Sequence, residues 1–403
     1  MNIYERLGVT PILNVAGPAT RYGGAIVSET VRAAMHEAAL YSVSVESLQD
    51  IASQRISNLT GAEAGIVTNG AAAALTLGIA ACIARLDVGI MNRLPDTTGL
   101  PNEVVMPWHQ VSGYDHAIWA AGAKLVGAGY PNDTTPPNEV QIIDRYDVAS
   151  VITPLTVATA YAPRPGSHPQ IEEVVEVSHK RNIPVVLDAS MEVPPIENLR
   201  HFIDVGADLV CVSGGKGIGG PQSSGLLYGR RELVASALLQ MLDMSGPCFA
   251  DWDSPSLIPK ERLAGKPLHG IGRGMKVSKE SIVGLLVALE ELSPSGFAAQ
   301  RERKRQLLMG MAANIASIAG VETAIVSGTS DYPALLVALD EKQLGMSARQ
   351  ACRLLSQSSP AIYVYNEERH LLRGELLIQS QNLSEETARI VADRLVVVLT
   401  EPA

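Results

Sequence analysis

Residues 210–222 read VCVSGGKGIGGPQ, an apolar strand that ends at Ser213 and leads into a loop around Lys216. Five of the seven residues from 214 to 220 are glycine. Glycine loses more conformational freedom on folding than other residues, so this run indicates that some group approaches the backbone closely. A second apolar strand, residues 184–187, leads into Asp188, and 216 − 188 = 28 residues separate the two charged side chains.

Asp188 and Lys216 together match what a pyridoxal phosphate site requires. A lysine amine can hold the cofactor aldehyde as a Schiff base, and once displaced by the substrate amine it becomes a base beside the substrate α-carbon. A carboxylate beside the ring nitrogen keeps that nitrogen protonated, because an opposite charge favours the charged form. The sequence therefore predicts pyridoxal 5'-phosphate as cofactor, with Lys216 and Asp188 as catalytic and cofactor-binding residues.

Three glycines of the same loop also spell a dinucleotide-binding fingerprint directly after a strand. Lys216, however, would intrude on the tight turn of that motif, and Pro221 stands where its helix should already run. Residues 225–229 moreover indicate another strand and not a helix. These features argue against a nicotinamide or flavin site.

Residues 67–74 read VTNGAAAA, which predicts a strand, a short turn and the start of a helix. A helix N-terminus with small side chains presents unpaired backbone N–H groups and binds phosphate well. An ordinary strand-to-helix turn has the same pattern, so the assignment depends on its combination with Asp188 and Lys216. The residues expected at the cofactor phosphate are Asn69, Gly70, Ala71, Ala72 and Ser213.

Composition limits the class of protein. A chain of 403 residues, 46% hydrophobic and 18% charged, is long enough for two domains with a substantial core and is not disordered. The net charge of −10, without any block of Lys and Arg, argues against a nucleic-acid groove.

Four scattered cysteines form no CxxC pair, which is typical of free thiols in a reducing cytoplasm. The N-terminus has no signal-peptide pattern, and no apolar run approaches the ~20 residues of a membrane span. No group of His, Cys and Asp has metal-ligand spacing. We therefore expect a cytoplasmic protein with no metal and no membrane partner.

Helices and strands alternate along the first 234 residues, which predicts a mostly parallel sheet covered by helices, with residues 150–154 as one of its strands. The later part, with strand candidates at residues 321–325, 334–338 and 376–379, indicates a smaller α+β region. The predicted organisation is an N-terminal arm (1–20), a large cofactor-binding domain (21–275) and a small C-terminal domain (276–403).

Several segments resemble the selenocysteine synthase-like group of fold-type I pyridoxal phosphate enzymes, which includes D-glucosaminate-6-phosphate ammonia-lyase and L-seryl-tRNA selenium transferase. The run SGGK followed by GGPQ at 213–222 is the most specific, and the resemblance covers most of the chain to about residue 292. The other segments are ILNVAG (12–17), LTGAEA (59–64), TNGAA (68–72), AGAKLV (121–126), VLD (186–188) and RGMKVSK (273–279).

This resemblance implies the fold-type I transferase fold, an α/β architecture, and the same roles for Lys216, Asp188, Ser213 and the phosphate loop. It also implies that Arg273 lies close to the active site. Members of the group build each active site at a two-fold interface, so the resemblance implies a homodimer or higher homo-oligomer. Residues 246–274 are the candidates for reaching the partner's site.

The chain departs from the group in two places. Where tRNA-dependent members have an arginine after the third strand, this chain has His109. His109 or His116 is therefore expected to stack on the cofactor ring or to act as an acid or base.

The second departure lies near the C-terminus. Residues 376–381 read LLIQSQ, without the arginine that often binds the substrate carboxylate. That role then falls to an arginine elsewhere, each of which could equally form a surface salt bridge. The candidate substrate-binding residues are Arg273, Arg21, Arg373 and Gln379.

The expected function is that of a pyridoxal phosphate-dependent lyase acting on a small amino acid or amino-sugar acid. Removal of the α-proton and β-elimination would release ammonia and a 2-oxo acid. Racemisation, aldol cleavage and amino transfer share the first step and remain open. The tRNA-dependent members carry an additional N-terminal domain, whereas here the catalytic-type sequence begins almost at the first residue. Selenium transfer and nucleic-acid binding are therefore not expected.

Overall fold

The computed structural model describes residues 2–129, 143–164, 166–246 and 248–401. The strands in these residues are β1 (Leu13–Val15), β2 (Ala64–Thr68), β3 (Glu103–Pro107), β4 (Lys124–Ala128), β5 (Thr156–Tyr161), β6 (Val185–Asp188), β7 (Leu209–Ser213), β8 (Gly225–Gly229), β9 (Val321–Ser327), β10 (Pro333–Leu339), β11 (Ile362–Val364) and β12 (Glu375–Gln379). The helices are α1 (Ile3–Arg6), α2 (Glu29–Ala39), α3 (Val45–Thr60), α4 (Ala71–Ala84), α5 (Val88–Arg93), α6 (His116–Ala120), α7 (Arg145–Val151), α8 (Ile171–His179), α9 (Asn198–Asp204), α10 (Arg231–Met241), α11 (Lys279–Glu291), α12 (Pro294–Ile315), α13 (Glu341–Leu344), α14 (Ala348–Ser356), α15 (Glu368–Leu371) and α16 (Glu385–Thr400).

The chain forms two compact units. One consists of Val27–Glu290, and the other combines Met1–Ile26 with Glu291–Ala403. The domain boundaries at 20/21 and 275/276 stay predictions.

The unit of residues 27–290 contains a seven-stranded sheet in the order β2-β8-β7-β6-β5-β3-β4. Among these seven strands, β8 runs in the direction opposite to the other six. The predicted α/β fold with a mostly parallel sheet is therefore confirmed. Strands β2, β3, β5 and β8 are buried at every residue. Strands buried on both faces read as continuous apolar runs, which is why the sequence shows so little alternation here.

The predicted strand at residues 150–154 is wrong. Asp144 caps α7 by accepting hydrogen bonds from two backbone N–H groups, and the helix continues to Val151. Val148 and Ile152 are apolar because they pack into a small core cluster, and not because they belong to the sheet. Pro154 lacks the N–H that a central strand needs, so the strand begins only after it, as β5.

Helix α4 is apolar on all sides, and twelve of its fourteen residues are buried. A helix of this kind belongs in a core, between a sheet and other helices. Its small residues allow close packing: a Cβ at Gly78 would lie 3.3 Å from a Leu209 methyl group on β7. Packing along its whole length fixes where α4 begins, directly after β2.

The unit formed by the two chain ends contains a three-stranded antiparallel sheet in the order β12-β10-β9, together with β1 paired in parallel with β11. The sequence predicted β9, β10 and β12. It did not predict β1 or β11, because three residues are too few to show a periodic pattern. Helices α12, α14 and α16 contribute buried residues such as Leu308, Leu355 and Leu395 to the core of this unit.

No single helix in the described parts of the chain is both long and apolar enough to cross a membrane. Helices α11 and α12 reach that length and apolarity only when they are counted together across the sharp break between them.

Substitution Gly65→Ala is expected to destabilise the protein by about 1–3 kcal/mol, because its methyl group would lie 2.4 Å from Ile56 Cγ2 on α3 and overpack the core. Gly310→Ala is the matched control, since Gly310 is exposed on α12 with open space around its Cα. That change should stabilise the helix by about 0.5–1 kcal/mol. Urea unfolding followed by circular dichroism measures both, and equal stability of Gly65→Ala and the wild type would contradict the packing argument.

Candidate active site

Asp188 and Lys216 follow neighbouring strands at the same edge of the sheet. Strand β6 ends at Asp188, which pairs in parallel register with Cys211 on β7, and β7 leads into the Lys216 loop. In open α/β sheets, ligands bind at the carboxyl ends of the strands. The structure therefore brings together the two residues on which the cofactor prediction depends.

The glycine-rich loop folds tightly upon itself. The Gly214 N–H donates to the Ser224 carbonyl at 2.9 Å, and a Cβ at Gly215 would lie 2.5 Å from Gln222 Cα. The close approach that the glycines indicate is thus made by the loop's own backbone. This compact turn fixes the backbone from which the Lys216 side chain extends.

The Lys216 amine is tuned by burial and by charge. Burial lowers its pKa below the ordinary lysine value, while the carboxylates of Asp188 and Glu192 oppose that change. A lowered pKa gives a larger neutral fraction of the amine, and only the neutral amine can act as a nucleophile or base.

Carboxylates outnumber cations around Asp188. Burial raises the pKa of Asp115, and the nearby Asp188 charge adds to the effect. The same two causes, burial first, raise the pKa of Glu192, although Arg164 and Lys216 counteract them. Excess negative charge in a half-buried site stabilises a cation, and the protonated ring nitrogen of pyridoxal phosphate is such a cation.

The beginning of α4 has the features of a phosphate site. Gly70 is its N-cap with φ +97°, and no side chain caps the free N–H groups of the first turn. Ala71 and Ala72 leave the helix end open. A Cβ at Gly225 would lie 2.6 Å from the Gly70 carbonyl carbon and 2.9 Å from the Ala71 nitrogen. Only a glycine on β8 therefore leaves room for this turn.

Ser213 lies beside the same turn. It pairs across the sheet with Gly225, the residue that contacts Gly70. Asn69 is exposed immediately before Gly70. All the residues predicted to hold the cofactor phosphate thus come from one corner of the sheet, where β2, β7 and β8 meet the start of α4.

His109 has two buried ring nitrogens without a hydrogen-bond partner in the described residues. Burial lowers its pKa, and the positive charges of Arg164 and His168 add to that effect, so the neutral ring is favoured. An unpaired, half-buried imidazole is costly unless a ligand covers it. His116, by contrast, is exposed with its ring edge-on to Trp119. The geometry therefore favours His109 over His116 as the ring-contacting histidine.

These observations agree with the requirements of pyridoxal phosphate. The open N-terminus of α4 fits the phosphate, the acidic surroundings of Asp188 fit a protonated ring, and the unpartnered His109 fits a ring face. Lys216 would provide the amine for covalent attachment.

Arg273 lies in a cavity of about 540 Å³ that is also lined by Trp252, Lys266 and Lys276. Its guanidinium donates to the Asp243 carboxylate at 2.9 Å. Arg273 thus forms a salt bridge, which Sequence analysis gave as the alternative to binding a substrate. Binding of a substrate carboxylate by Arg273 stays a prediction.

The other predicted substrate-binding residues belong to the unit formed by the chain ends. Arg21 is exposed, and its guanidinium carbon lies 5.2 Å from the centre of the Tyr22 ring. Gln379 is buried, and its Oε1 accepts a hydrogen bond from the Thr329 N–H at 3.0 Å. Arg373 is exposed. Their roles in substrate binding stay predictions.

Sequence reasoning missed Asp115, Arg164 and Glu192. All three lie in the segments just after strands β3, β5 and β6. The Asp188 charge acts on Asp115 and on Glu192, and the Arg164 charge acts on Glu192 and on His109. The available signal was their position past the ends of parallel strands, where ligands bind.

The sequence profile of the family Aminotransferase class-V matches residues 117–338. The chain is 30% identical to a 5'-C-glycyluridine monooxygenase-decarboxylase from Streptomyces sp. The alignment covers 97% of this chain and 90% of that protein. It is 27% identical to a D-glucosaminate-6-phosphate ammonia lyase from Salmonella typhimurium, with 98% of this chain and 97% of that protein aligned.

A solved structure of D-glucosaminate-6-phosphate ammonia-lyase superimposes with a TM-score of 0.77 at 26% identity, covering 99% of this chain and 98% of that one. An L-seryl-tRNA(Sec) selenium transferase from Geobacter metallireducens is 26% identical over 199 residues, which are 44% of this chain and 38% of that protein. The resemblance to the selenocysteine synthase-like group is thereby confirmed. The chain belongs to the class-V aminotransferase family of fold-type I enzymes, and its cofactor is pyridoxal phosphate.

Proposed function

We propose that this protein is a lyase that releases ammonia and a 2-oxo acid from a small amino acid or amino-sugar acid bearing a β-hydroxyl group. The observation that carries the proposal is the similarity to an ammonia-lyase along nearly the whole of both chains, in sequence and in fold. The site agrees with it, since it combines a lysine base, a neutral histidine and carboxyl groups that hold their protons more strongly than usual.

When bound, pyridoxal phosphate acts as an electron sink that makes the α-proton of an amino acid acidic. Lys216 then removes that proton with its neutral amine. Asp188 stabilises the positive charge on the ring nitrogen. The β-hydroxyl leaves as water and needs a proton, and we propose that the neutral His109 relays to it the proton taken up by Lys216. Hydrolysis of the unsaturated amine that remains gives ammonia and the 2-oxo acid.

Recognition of the substrate is proposed for three residues. The guanidinium of Arg273 or Arg21 binds the carboxylate, and Gln379 hydrogen-bonds a hydroxyl group. We further propose a cytoplasmic homo-oligomer that needs neither metal nor nucleic acid and uses residues 246–274 at the partner's site. A small-molecule substrate is consistent with this enzyme family, with the net charge of −10 and with the absence of Lys and Arg blocks from the sequence.

A second candidate is oxidative decarboxylation of an amino acid. It is favoured by the 30% identity to the monooxygenase-decarboxylase, which slightly exceeds the identity to the ammonia-lyase. Both reactions start from the same cofactor and lysine, so the site residues discussed above do not separate them.

Substitution Lys216→Ala is expected to abolish covalent attachment of the cofactor and to reduce turnover by about a hundredfold or more, because both nucleophile and base are lost. Borohydride reduction followed by peptide mass spectrometry locates the attached lysine in the wild type. Lys342→Ala, which removes an exposed lysine, is the control and should retain attachment. Attachment to a lysine other than Lys216 would contradict the assignment.

Substitution Gly225→Ala should weaken cofactor binding by about tenfold, because the new methyl group displaces the Gly70–Ala71 turn and removes well-aligned N–H donors to the phosphate. Fluorescence titration of the cofactor-free protein with pyridoxal phosphate measures the dissociation constant. Gly310→Ala serves as the control. Unchanged affinity in Gly225→Ala would show that the phosphate binds elsewhere.

The reaction itself is tested with a panel of 2-amino-3-hydroxy acids and phosphorylated amino-sugar acids in deuterated water. We expect equal amounts of ammonia and 2-oxo acid, without oxygen uptake. Interconversion of D and L isomers without 2-oxo acid would replace the lyase by a racemase. Oxygen uptake with release of carbon dioxide would favour the second candidate, and release of an aldehyde would indicate aldol cleavage.

A further inference from the structure

Gln110 is a buried glutamine in the segment that follows β3, and its side chain is tied to the residue that follows β5. It is 3% exposed, and its Oε1 accepts a hydrogen bond from the Ala162 N–H at 2.9 Å. Because a backbone N–H can face only an acceptor, this bond fixes which corner of the planar amide is oxygen and which is nitrogen. Strands β3 and β5 run parallel to β6, so the Nε2 group is a donor held at the edge of the sheet where Asp188 lies.

The Nε2 donor of Gln110 is buried, and no acceptor in the described parts of the chain takes a hydrogen bond from it. Tyr161 lies near the amide: burial raises the pKa of Tyr161, and Ser167 and Gln110 counteract that effect. The Tyr161 hydroxyl donates its own proton to the Pro169 carbonyl at 2.7 Å. Since an amide nitrogen carries two N–H groups, a contact with Tyr161 would still leave one of them without a partner.

The preceding residue, His109, has two more buried atoms of this kind, its ring nitrogens. A buried polar atom without a partner costs free energy, and native structures contain few of them. Three such atoms on consecutive residues therefore indicate that a ligand covers this part of the sheet edge.

One polar group of the cofactor has no partner assigned so far. The phosphate is assigned to the start of α4, the ring nitrogen to Asp188 and the aldehyde to Lys216. The remaining group is the phenolic oxygen, which accepts hydrogen bonds. A protonated ring nitrogen, by contrast, is itself a donor and cannot use the Gln110 N–H groups.

The order of the strands agrees with this pairing. On the cofactor ring, the aldehyde is flanked by the phosphate-bearing arm on one side and by the phenolic oxygen on the other. In the sheet, β7 and β8 of the phosphate corner lie on one side of β6, and β5 and β3 lie on the other. A cofactor with its phosphate at α4 and its ring nitrogen at Asp188 thus has its phenolic oxygen on the side of Gln110.

We propose that Gln110 Nε2 donates a hydrogen bond to the phenolic oxygen of pyridoxal phosphate. The carboxylates around Asp188 repel a negatively charged oxygen, and a neutral N–H donor offsets that repulsion without adding a charge. The inference rests on the placement of the phosphate and the ring nitrogen in the proposed function, and not on which bond of the substrate is broken.

The test measures, by calorimetric titration, the affinity of the full-length protein without cofactor for pyridoxal phosphate and for 3-deoxypyridoxal phosphate, which lacks the phenolic oxygen. Substitution Gln110→Met removes the donor at similar side-chain length and adds no charge. It should weaken binding of pyridoxal phosphate by about tenfold or more, as expected for a hydrogen bond to a charged oxygen. Binding of the analogue should change by less than about twofold. Equal weakening for both cofactors, or unchanged affinity for pyridoxal phosphate, would overturn the proposal.

Gln110→Glu is a second variant in case Gln110→Met does not fold, which circular dichroism detects. Its carboxylate can still accept the hydrogen bond from the Ala162 N–H, whereas the donor is lost, so the same selective loss is expected. If Gln110 only held Ala162 in place, Gln110→Met would weaken both cofactors in the same proportion. Gln240→Met is the matched control, because it removes another buried amide from the same unit, and any loss of affinity should be equal for the two cofactors.

This comparison is made without turnover, so it separates the inference from the reaction. A selective loss in a protein that forms no 2-oxo acid from any substrate would support the Gln110 contact and contradict the lyase. Equal losses in an active lyase would overturn the Gln110 contact alone.

Discussion

The parallel pairing of β6 with β7 is the constraint on which the site depends. It places Asp188 opposite Cys211, and the chain that follows Cys211 turns back at once through the glycine-rich loop that carries Lys216. The backbone positions of Asp188 and Lys216 are thereby fixed by hydrogen bonds of the sheet and of the loop. Helix α4, packed along its whole length, fixes the position of its own N-terminus in the same way.

Desolvation then adjusts the chemistry of groups whose positions the sheet has fixed. It lowers the pKa of Lys216 and of His109, and it raises the pKa of Asp115 and of Glu192. Every one of these changes favours the neutral form, as burial always does. A site built this way favours the neutral lysine amine and the neutral imidazole, which are the forms that act as nucleophile or base.

The sequence was sufficient to predict the sheet class and the cofactor, because those depend on local patterns; the residues proposed to bind the cofactor stay predictions. An apolar strand followed by Asp188, and glycines around Lys216, are visible within a few residues. The sequence did not reveal Asp115, Arg164 or Glu192, since their importance comes from burial and from neighbours far along the chain. The strand at 150–154 failed for the same reason: Val148 and Ile152 pack in a satellite core, which a local pattern cannot distinguish from a sheet.

The charge balance near Lys216 also limits which groups can bind there. Asp115, Asp188 and Glu192 are carboxylates, whereas Arg164 and Lys216 are cations that act on Glu192. Carboxylates repel a second anion but accept hydrogen bonds from hydroxyl groups. This edge of the sheet therefore suits the cationic form of a ring nitrogen and hydroxyl groups better than it suits a second anion.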